Sequence, residues 1–301
     1  MAGATRVNRN VNWVTDDSGN LVGYDRSPGD RVLLLSADAS ASAVENEYTK
    51  ALFFGNALTQ TGSVNDFSQA NNDAVYCGST TDSEVYNTTA NYLSMLGGTS
   101  PNNKGLALTA SKLQWDLDDG ESLLVQTRFY KPTALPGSQE HIFGNASGGT
   151  IPGFLLAIAP SGVLQPYIKV GSLGIALLGG SSTTAAVADT AVNVTLWIDG
   201  GTKTFNGWIN GTLQSNWTNK AVTPDGSSYS TVSTSTPGVW CLGNGGDTVS
   251  PSIRTMNAFK FAAHRVMVIE PGKTLQNAAM LDWLFNRDPN RLLPYTDLVL
   301  V

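Results

Sequence analysis

The sequence predicts an all-β protein, an antiparallel two-layer sandwich, and three observations lead there. Between Asn193 and Trp217 the chain reads NVTLWIDGGTKTFNGWINGTLQSNW. Val194, Leu196 and Ile198 alternate with Thr195, Trp197 and Asp199, the period of two that a strand requires. Asp199-Gly200-Gly201 breaks that run, and Asn210-Gly211 ends the next one, Thr204 to Ile209. Asn and Gly both tolerate positive φ, so Asn-Gly between apolar alternations is a strong hairpin signal. A third run starts at Leu213, which makes a three-stranded meander. Elsewhere, short apolar runs recur between turn residues at close spacing. No fixed-period repeat is apparent, which points to a sandwich or barrel and away from solenoids and propellers.

The elements follow in chain order. In residues 1–45, Val11 to Val14 and Leu21 to Tyr24 flank an Asp17-Ser18-Gly19-Asn20 turn and can pair. Ser27-Pro28-Gly29-Asp30 turns the chain again before the apolar run Val32 to Leu35. Ser36 to Ser42 is a spacer of small residues. The segment holds too little apolar mass to fold alone, so it reads as an attachment arm or an edge addition to the main sheets. Trp13, Val14, Leu21, Leu33 and Leu34 are its candidate attachment residues. Burying four or five such side chains contributes on the order of 5–10 kcal/mol before ordering costs remove much of it.

Residues 46–301 read as the sandwich. From 46 to 121 turn residues dominate, and only Ala51 to Phe54 and Ala74 to Cys77 look strand-like. Regular strands follow at Ser122 to Tyr130, around Ile142-Phe143, and at Gly153 to Ala159. Pro160-Ser161-Gly162 turns that strand into Val163 to Val170. Leu173 to Leu178, the meander, Val239 to Leu242 and the long run Phe259 to Ile269 complete the set. One helix is expected, Leu275 to Phe285, capped by Thr274 and stopped before Pro289.

Composition narrows the function. The chain has 301 residues, 41% of them hydrophobic, enough for one large β domain or two small ones. Charged residues are 14%, against about 25% in ordinary soluble domains. Ser, Thr, Asn, Gln and Gly must therefore supply most of the polar surface. The net charge is −6, and the 18 Lys and Arg are scattered without a run of three. Duplex binding draws its affinity from clustered basic residues, so direct nucleic-acid binding is not expected. The only cysteines, Cys77 and Cys241, form no CxxC pair and read as two buried free thiols rather than a disulfide. The opening MAGATRVNRNVNW has no apolar core of a signal peptide, and no stretch of about 18 apolar residues occurs. The expectation is synthesis in the cytoplasm without a signal peptide, and no membrane insertion. The N-x-S/T triplets at Asn87, Asn145, Asn193, Asn210 and Asn216 then read as chance in an Asn- and Thr-rich chain.

From Gly105 to Pro294 the order of features resembles the laminin-G-like and pentraxin-like group of the concanavalin A-like superfamily. The residues that carry the likeness are Gly105 to Leu108, Ser122 to Phe129, Gly153 to Ala159, the meander, Val239 to Gly246 with its Gly-Asn-Gly-Gly ending, and the long strand closing at Val268-Ile269. This resemblance implies a jelly-roll sandwich with lectin-like properties. The opening Val14-Thr-Asp-Asp-Ser-Gly-Asn-Leu-Val-Gly23 is similar to a segment of tailed-phage virion proteins. That second resemblance implies a virion-surface location, a structural role in capsid decoration or a tail fibre, and other virion proteins and further copies of the chain as partners. The alternatives are a carbohydrate-binding module for host surface glycans and a glycoside hydrolase.

Four constellations bear on that choice. Asp116-Leu-Asp118-Asp-Gly-Glu121 resembles the Glu-x-Asp-x-x-Glu of β-glucanases on this fold. A retaining mechanism needs two carboxyls about 5 Å apart. Here the first Glu is Asp, and Gly120 interrupts the strand, so an acidic turn is the favoured reading and no enzyme is expected. Asp199, Asp225 and Asp247 in loops are the candidates for Ca²⁺, which takes six to eight oxygens, but no D-x-D-x-D-G spacing is present. No resident cofactor is expected otherwise. Trp197, Trp208 and Trp217 are the candidate ligand-binding aromatics, with Trp240, Tyr167 and Tyr229 elsewhere. Trp197 is out of phase with Val194, Leu196 and Ile198. It therefore faces away from their side of the sheet, as a platform for a ligand or under cover of the N-terminal segment or a long loop. His141 and His264 are too few for most metal or triad chemistry, and without G-x-S-x-G, His264 reads as a strand histidine with its hydrogen bonds satisfied.

The strand-rich reading has a direct check. Far-UV circular dichroism should show helix limited mainly to Leu275–Phe285. More than about 25% helix, approaching the 30–35% usual in globular proteins, would rule the fold class out.

Overall fold

The computed structural model describes residues 5–8, 11–15, 21–25, 33–34, 49–54, 59–60, 63–64, 66, 68, 70, 72–76, 86–87, 92–98, 105–108, 113, 115–117, 119–131, 135–146, 153–169, 175–222, 239–244, 256–272 and 282. Strands are numbered in chain order. A small N-terminal sheet joins β1 (Thr5–Asn8), β2 (Val11–Thr15), β3 (Leu21–Asp25) and β4 (Leu33–Leu34) as neighbouring antiparallel strands. β2, β3 and β4 lie where the turn residues put them, and β1 was not anticipated. The side chains of Trp13, Val14, Leu21, Leu33 and Leu34 lie outside the described residues.

The sandwich consists of two antiparallel sheets of nine strands each. One runs β19 (Thr212–Leu213), β18 (Thr204–Ile209), β17 (Val192–Asp199), β12 (Ser122–Tyr130), β22 (Met256–Ile269), β10 (Tyr92–Gly98) and β9 (Tyr86–Asn87). In addition, β20 (Lys220–Ala221) pairs with β18, and β5 (Thr49–Phe54) pairs with β22. The other runs β16 (Ile175–Leu177), β15 (Leu164–Lys169), β14 (Gly153–Ile158), β13 (Glu140–Gly144), β21 (Cys241–Leu242), β11 (Leu106–Leu108), β8 (Ala74–Tyr76), β7 (Ser63–Val64) and β6 (Thr59–Gln60).

Period-two alternation places Val194, Leu196 and Ile198 of β17, Leu123 and Val125 of β12, and Phe259 and Phe261 of β22 in one interior cluster, and a β-bulge where β22 pairs with β12 brings Val266 to the same side. Phe154, Leu156 and Ile158 of β14 and Leu164 and Ile168 of β15 meet them from the second sheet. The hairpin turns are those the sequence specifies. Asn210 (φ 49) and Gly211 (φ 79) both adopt positive φ between the paired residues Ile209 and Thr212. The meander's third strand is shorter than expected. β19 has two residues and gives way to a 3-10 turn, Ser215–Trp217. The cause is Gln214, fully buried, whose Oε1 accepts from Thr183 N (3.0 Å), Thr183 Oγ1 (2.8 Å) and Thr184 N (3.0 Å). Turning inward to bind the 183–184 loop takes the chain out of the sheet.

β10 escaped the sequence reading, because Gly97, Gly98 and Ser94 dilute a pattern whose inward residues are Leu93 and Met95. Of the expected helix 275–285 only Asp282 is described, and that residue is helical and buried. The remainder of the helix, and Cys77, lie outside the described residues. Cys241 is buried, and its Sγ donates to Val239 O at 3.5 Å.

Side-chain bonds tie the layers together, among them Asn257 Nδ2 of β22 to His141 O of β13 at 3.1 Å. Lys131, at the end of β12, is buried and bonds Glu140 of β13 at 2.5 Å. Its Nζ also donates to Ala258 O at 3.2 Å and lies 4.8 Å from the centre of the Phe259 ring. Deep in the core, Trp240 Nε1 donates to His264 Nε2 at 3.0 Å, joining the segment before β21 to β22 across the interior. A ring nitrogen that accepts carries no hydrogen, so Nδ1 holds the proton of the neutral imidazole. Nδ1 has no hydrogen-bond partner, so the histidine is only half satisfied. Phe143, Phe261 and Trp240 surround the ring, with centroids 5.0, 6.2 and 5.9 Å away.

Burial lowers the His264 pKa to about 3. The unfolded chain therefore binds a proton that the native state refuses between about pH 6.5 and 3. The stability this histidine allows is complete above pH 6.5 and is lost as pH falls through that window. Urea unfolding at stepped pH should show a loss of about 1.4 kcal/mol per pH unit below 6 that His264→Gln removes. An unchanged slope in that variant would refute the assignment.

Candidate functional site

The three tryptophans singled out from the sequence are not exposed platforms. Trp217 is 0% exposed and belongs to the core. Its indole N–H donates to Gly180 O at 2.9 Å, and its ring centre lies 5.9 Å from that of Phe205. Gly207 is needed beneath it, since a Cβ there would stand 2.5 Å from Trp217 Cε3. Trp197 and Trp208 do face the outer side of the first sheet, as the phase predicts, yet they are only 4% and 8% exposed. Leu52, Leu124, Gln126, Thr195, Arg265 and Met267 share that side by register and are also buried. Arg265 Nη2 donates to Gln126 Oε1, whose amide donates to Thr195 Oγ1 at 3.4 Å. The outer side of this sheet is thus buried at these positions.

The acidic segment forms a turn. Glu121 N donates to Asp116 O at 3.0 Å, and Asp116 N donates to Glu121 Oε2 at 2.6 Å. Burial raises the Glu121 pKa, opposed by that backbone hydrogen bond. The two carboxyl-bearing residues close a loop ahead of β12 rather than alternating along one strand. Asp118 lies outside the described residues, as do Asp225 and Asp247. Asp199 Oδ1 accepts from Thr202 N at 2.8 Å and so stabilises its own turn. Among the described residues, no three His, Cys, Asp or Glu side chains group to hold a metal.

A different face presents polar groups to solvent. On β14, Leu155 and Ala157 point away from the core, opposite in phase to Phe154, Leu156 and Ile158. Register then sets Tyr167 beside Leu155 with Leu177 beyond it, and Gln165 beside Ala157 with His141 beyond it. Tyr167 packs on the Ala146, Leu155 and Ala157 cluster, which leaves its hydroxyl at the surface. Exposed Gln139 donates through Nε2 to Gln165 Oε1 at 2.6 Å and to Tyr167 Oη at 2.8 Å. Tyr167 Oη donates to Gln165 Oε1 at 3.4 Å, and Gln165 Nε2 donates to Ser181 Oγ at 3.0 Å.

These bonds fix the four side chains and leave definite valences open. Gln139 Oε1 can accept, the second Gln165 N–H can donate, and so can the Ser181 hydroxyl. Leu177, 37% exposed, adds apolar surface directly across from Tyr167. Acceptors and donors at fixed spacing beside an apolar patch suit a polyhydroxylated ligand. Tyr167 was noted from the sequence, whereas Gln139, Gln165 and Ser181 were not. The i, i+2 placement of Gln165 and Tyr167 on one strand was the available signal.

No protein-family model matches the sequence, and no curated protein is similar to it. Solved structures are similar in fold. A Trypanosoma rangeli sialidase in complex with sialic acid aligns at 10% identity and TM-score 0.52, over 92% of this chain and 44% of that one. The binding domain of botulinum neurotoxin serotype D/C aligns at 12% identity and TM-score 0.54, over 80% and 52%. The serotype D binding domain aligns at 12% identity and TM-score 0.50, over 83% and 51%. The chain therefore spans about half the length of the structures it matches. Identities this low show the fold alone, an all-β sandwich. They also correct the expectation that no enzyme would be found here: a sialidase is an enzyme, so this architecture is no argument against catalysis.

Proposed function

We propose that the chain is a carbohydrate-binding β-sandwich that presents the Gln139–Gln165–Tyr167–Ser181 face to glycans. The observation that carries this reading is the exposed, mutually bonded cluster of two amides, a phenol and a hydroxyl on the outer side of the second sheet. Amides and hydroxyls held at fixed spacing bind vicinal sugar hydroxyls without first paying to order themselves. Among the matched structures, one holds sialic acid, which supports glycan recognition. A glycan array probed with the full chain should give bound signal. Tyr167→Phe keeps the packing on Leu155 and Ala157 but removes the hydroxyl that holds Gln139 and Gln165 in place, and should weaken binding about fivefold. Full signal from Tyr167→Phe would remove this face from consideration.

A second reading concerns where the sandwich is displayed. We infer a virion-surface role, as capsid decoration or part of a tail fibre, with residues 1–45 as the attachment arm and 46–301 as the displayed domain. What favours it is the N-terminal sheet β1–β4, which is separate from both sandwich sheets, together with the phage-like opening segment and the low charge. Trp13, Val14, Leu21, Leu33 and Leu34 would supply the contact. Removing residues 1–45 should leave a soluble sandwich with an unchanged melt that no longer joins particles or oligomers. If the truncated protein unfolds, the arm is part of the sandwich. If it still assembles, attachment lies elsewhere.

A further inference from the structure

We infer that the ligand class of the Gln139–Gln165–Tyr167–Ser181 face is an uncharged, hydroxyl-rich glycan and not a sialylated one. This rests on the glycan-binding reading above. It runs against the ligand in the matched sialidase structure, which carries a carboxylate.

The reason is the chemistry the face offers. Among the described residues, the open valences of the four-residue cluster belong to amides and hydroxyls. His141, which shares its side by register, is an imidazole that is largely neutral at neutral pH. Recognition of a carboxylate calls on a guanidinium or an ammonium, whose charge-assisted hydrogen bonds are about twice as strong as neutral ones. The described cations near this face are otherwise engaged. Lys169 lies two positions beyond Tyr167 on the same side of β15 but is only 4% exposed, so its ammonium is not offered to solvent. Lys131 is buried against Glu140, Ala258 O and the Phe259 ring. Glu140, next to Gln139 in the chain, is paired with Lys131, so neither offers a free charge to the cluster. The whole chain carries a net charge of −6, which disfavours an anionic ligand further. The apolar side of a neutral sugar ring can rest on Leu177 while its hydroxyls meet Gln139 Oε1, the free Gln165 N–H and Ser181.

Calorimetric titration of the full chain at neutral pH tests this, with cellohexaose, chitohexaose and maltohexaose as neutral probes and an α2,8-linked sialic acid hexamer as the acidic one. At least one neutral oligosaccharide should bind about tenfold more tightly than the acidic hexamer, the difference one charge-assisted bond makes. That affinity should be the same in about 50 mM and about 500 mM NaCl, because no ion pair is there to screen. Gln139→Ala, at an exposed position, should weaken it about fivefold, and Gln165→Ala should do the same. Tighter or equal binding of the acidic hexamer, or a neutral affinity unmoved by Gln139→Ala, would overturn the inference and leave glycan binding standing. Binding of none of the four probes, joined to a blank glycan array, would overturn both.

Discussion

The pairing of β22 on both of its edges is the constraint on which the rest of the structure depends. Its fourteen residues, Met256 to Ile269, run beside β12 along one edge. On the other edge β10 occupies the first half and β5 the second. Chain from near residue 50, from 92–98 and from 122–130 thus meets on one strand. Such pairings are separated by up to about two hundred positions and only form once the loops between them close. β22 also supplies His264, and through the Trp240 bond the second sheet is aligned with the first. A dry histidine there costs stability in acid, but its hydrogen bond adds a directional link between the two layers in apolar surroundings made by Phe143 and Phe261. Apolar contacts by themselves carry no such direction.

The two outer sheet sides differ in exposure. The outer side of the first sheet bears Trp197, Trp208, Arg265 and Gln126, and all are buried. A guanidinium in that position must be held by hydrogen bonds, because an uncompensated buried charge is too costly to keep. The second sheet keeps Leu155 and Ala157 dry beneath Tyr167 but leaves Gln139 exposed and Gln165 half-buried. Gln165 and Tyr167 sit on a paired strand, and Gln139 and Ser181 bond to them from the segments next to β13 and β16. Strand-borne side chains lose little entropy on binding, which suits a weak, repeated ligand such as a surface glycan.

Much of the fold was legible in the sequence. Ser122 to Tyr130 reads as a strand and is one, and the Asn210-Gly211 turn sits where its chemistry put it. β17 and β18 follow from the alternation around Trp197. Such elements depend on local periodicity and on backbone dihedrals, and a single strand of sequence contains both. The failures have local causes as well. β10 is diluted by Gly and Ser, and the third meander strand is cut short by Gln214, whose partners Thr183 and Thr184 lie some thirty residues away.

The candidate site divides along the same line. The sequence by itself determined the side of the sheet each residue takes: Trp197 away from Leu196, Tyr167 in step with Gln165. It also determined the small charge and the abundance of amides and hydroxyls from which a neutral recognition face can be made. Only the tertiary structure decided which outward side stays in water. Exposure is a property of what else packs against a surface, and those contacts join residues far apart in the chain. That is why three tryptophans that look like a platform are buried, while two glutamines and a tyrosine with no motif to mark them stand together at the surface.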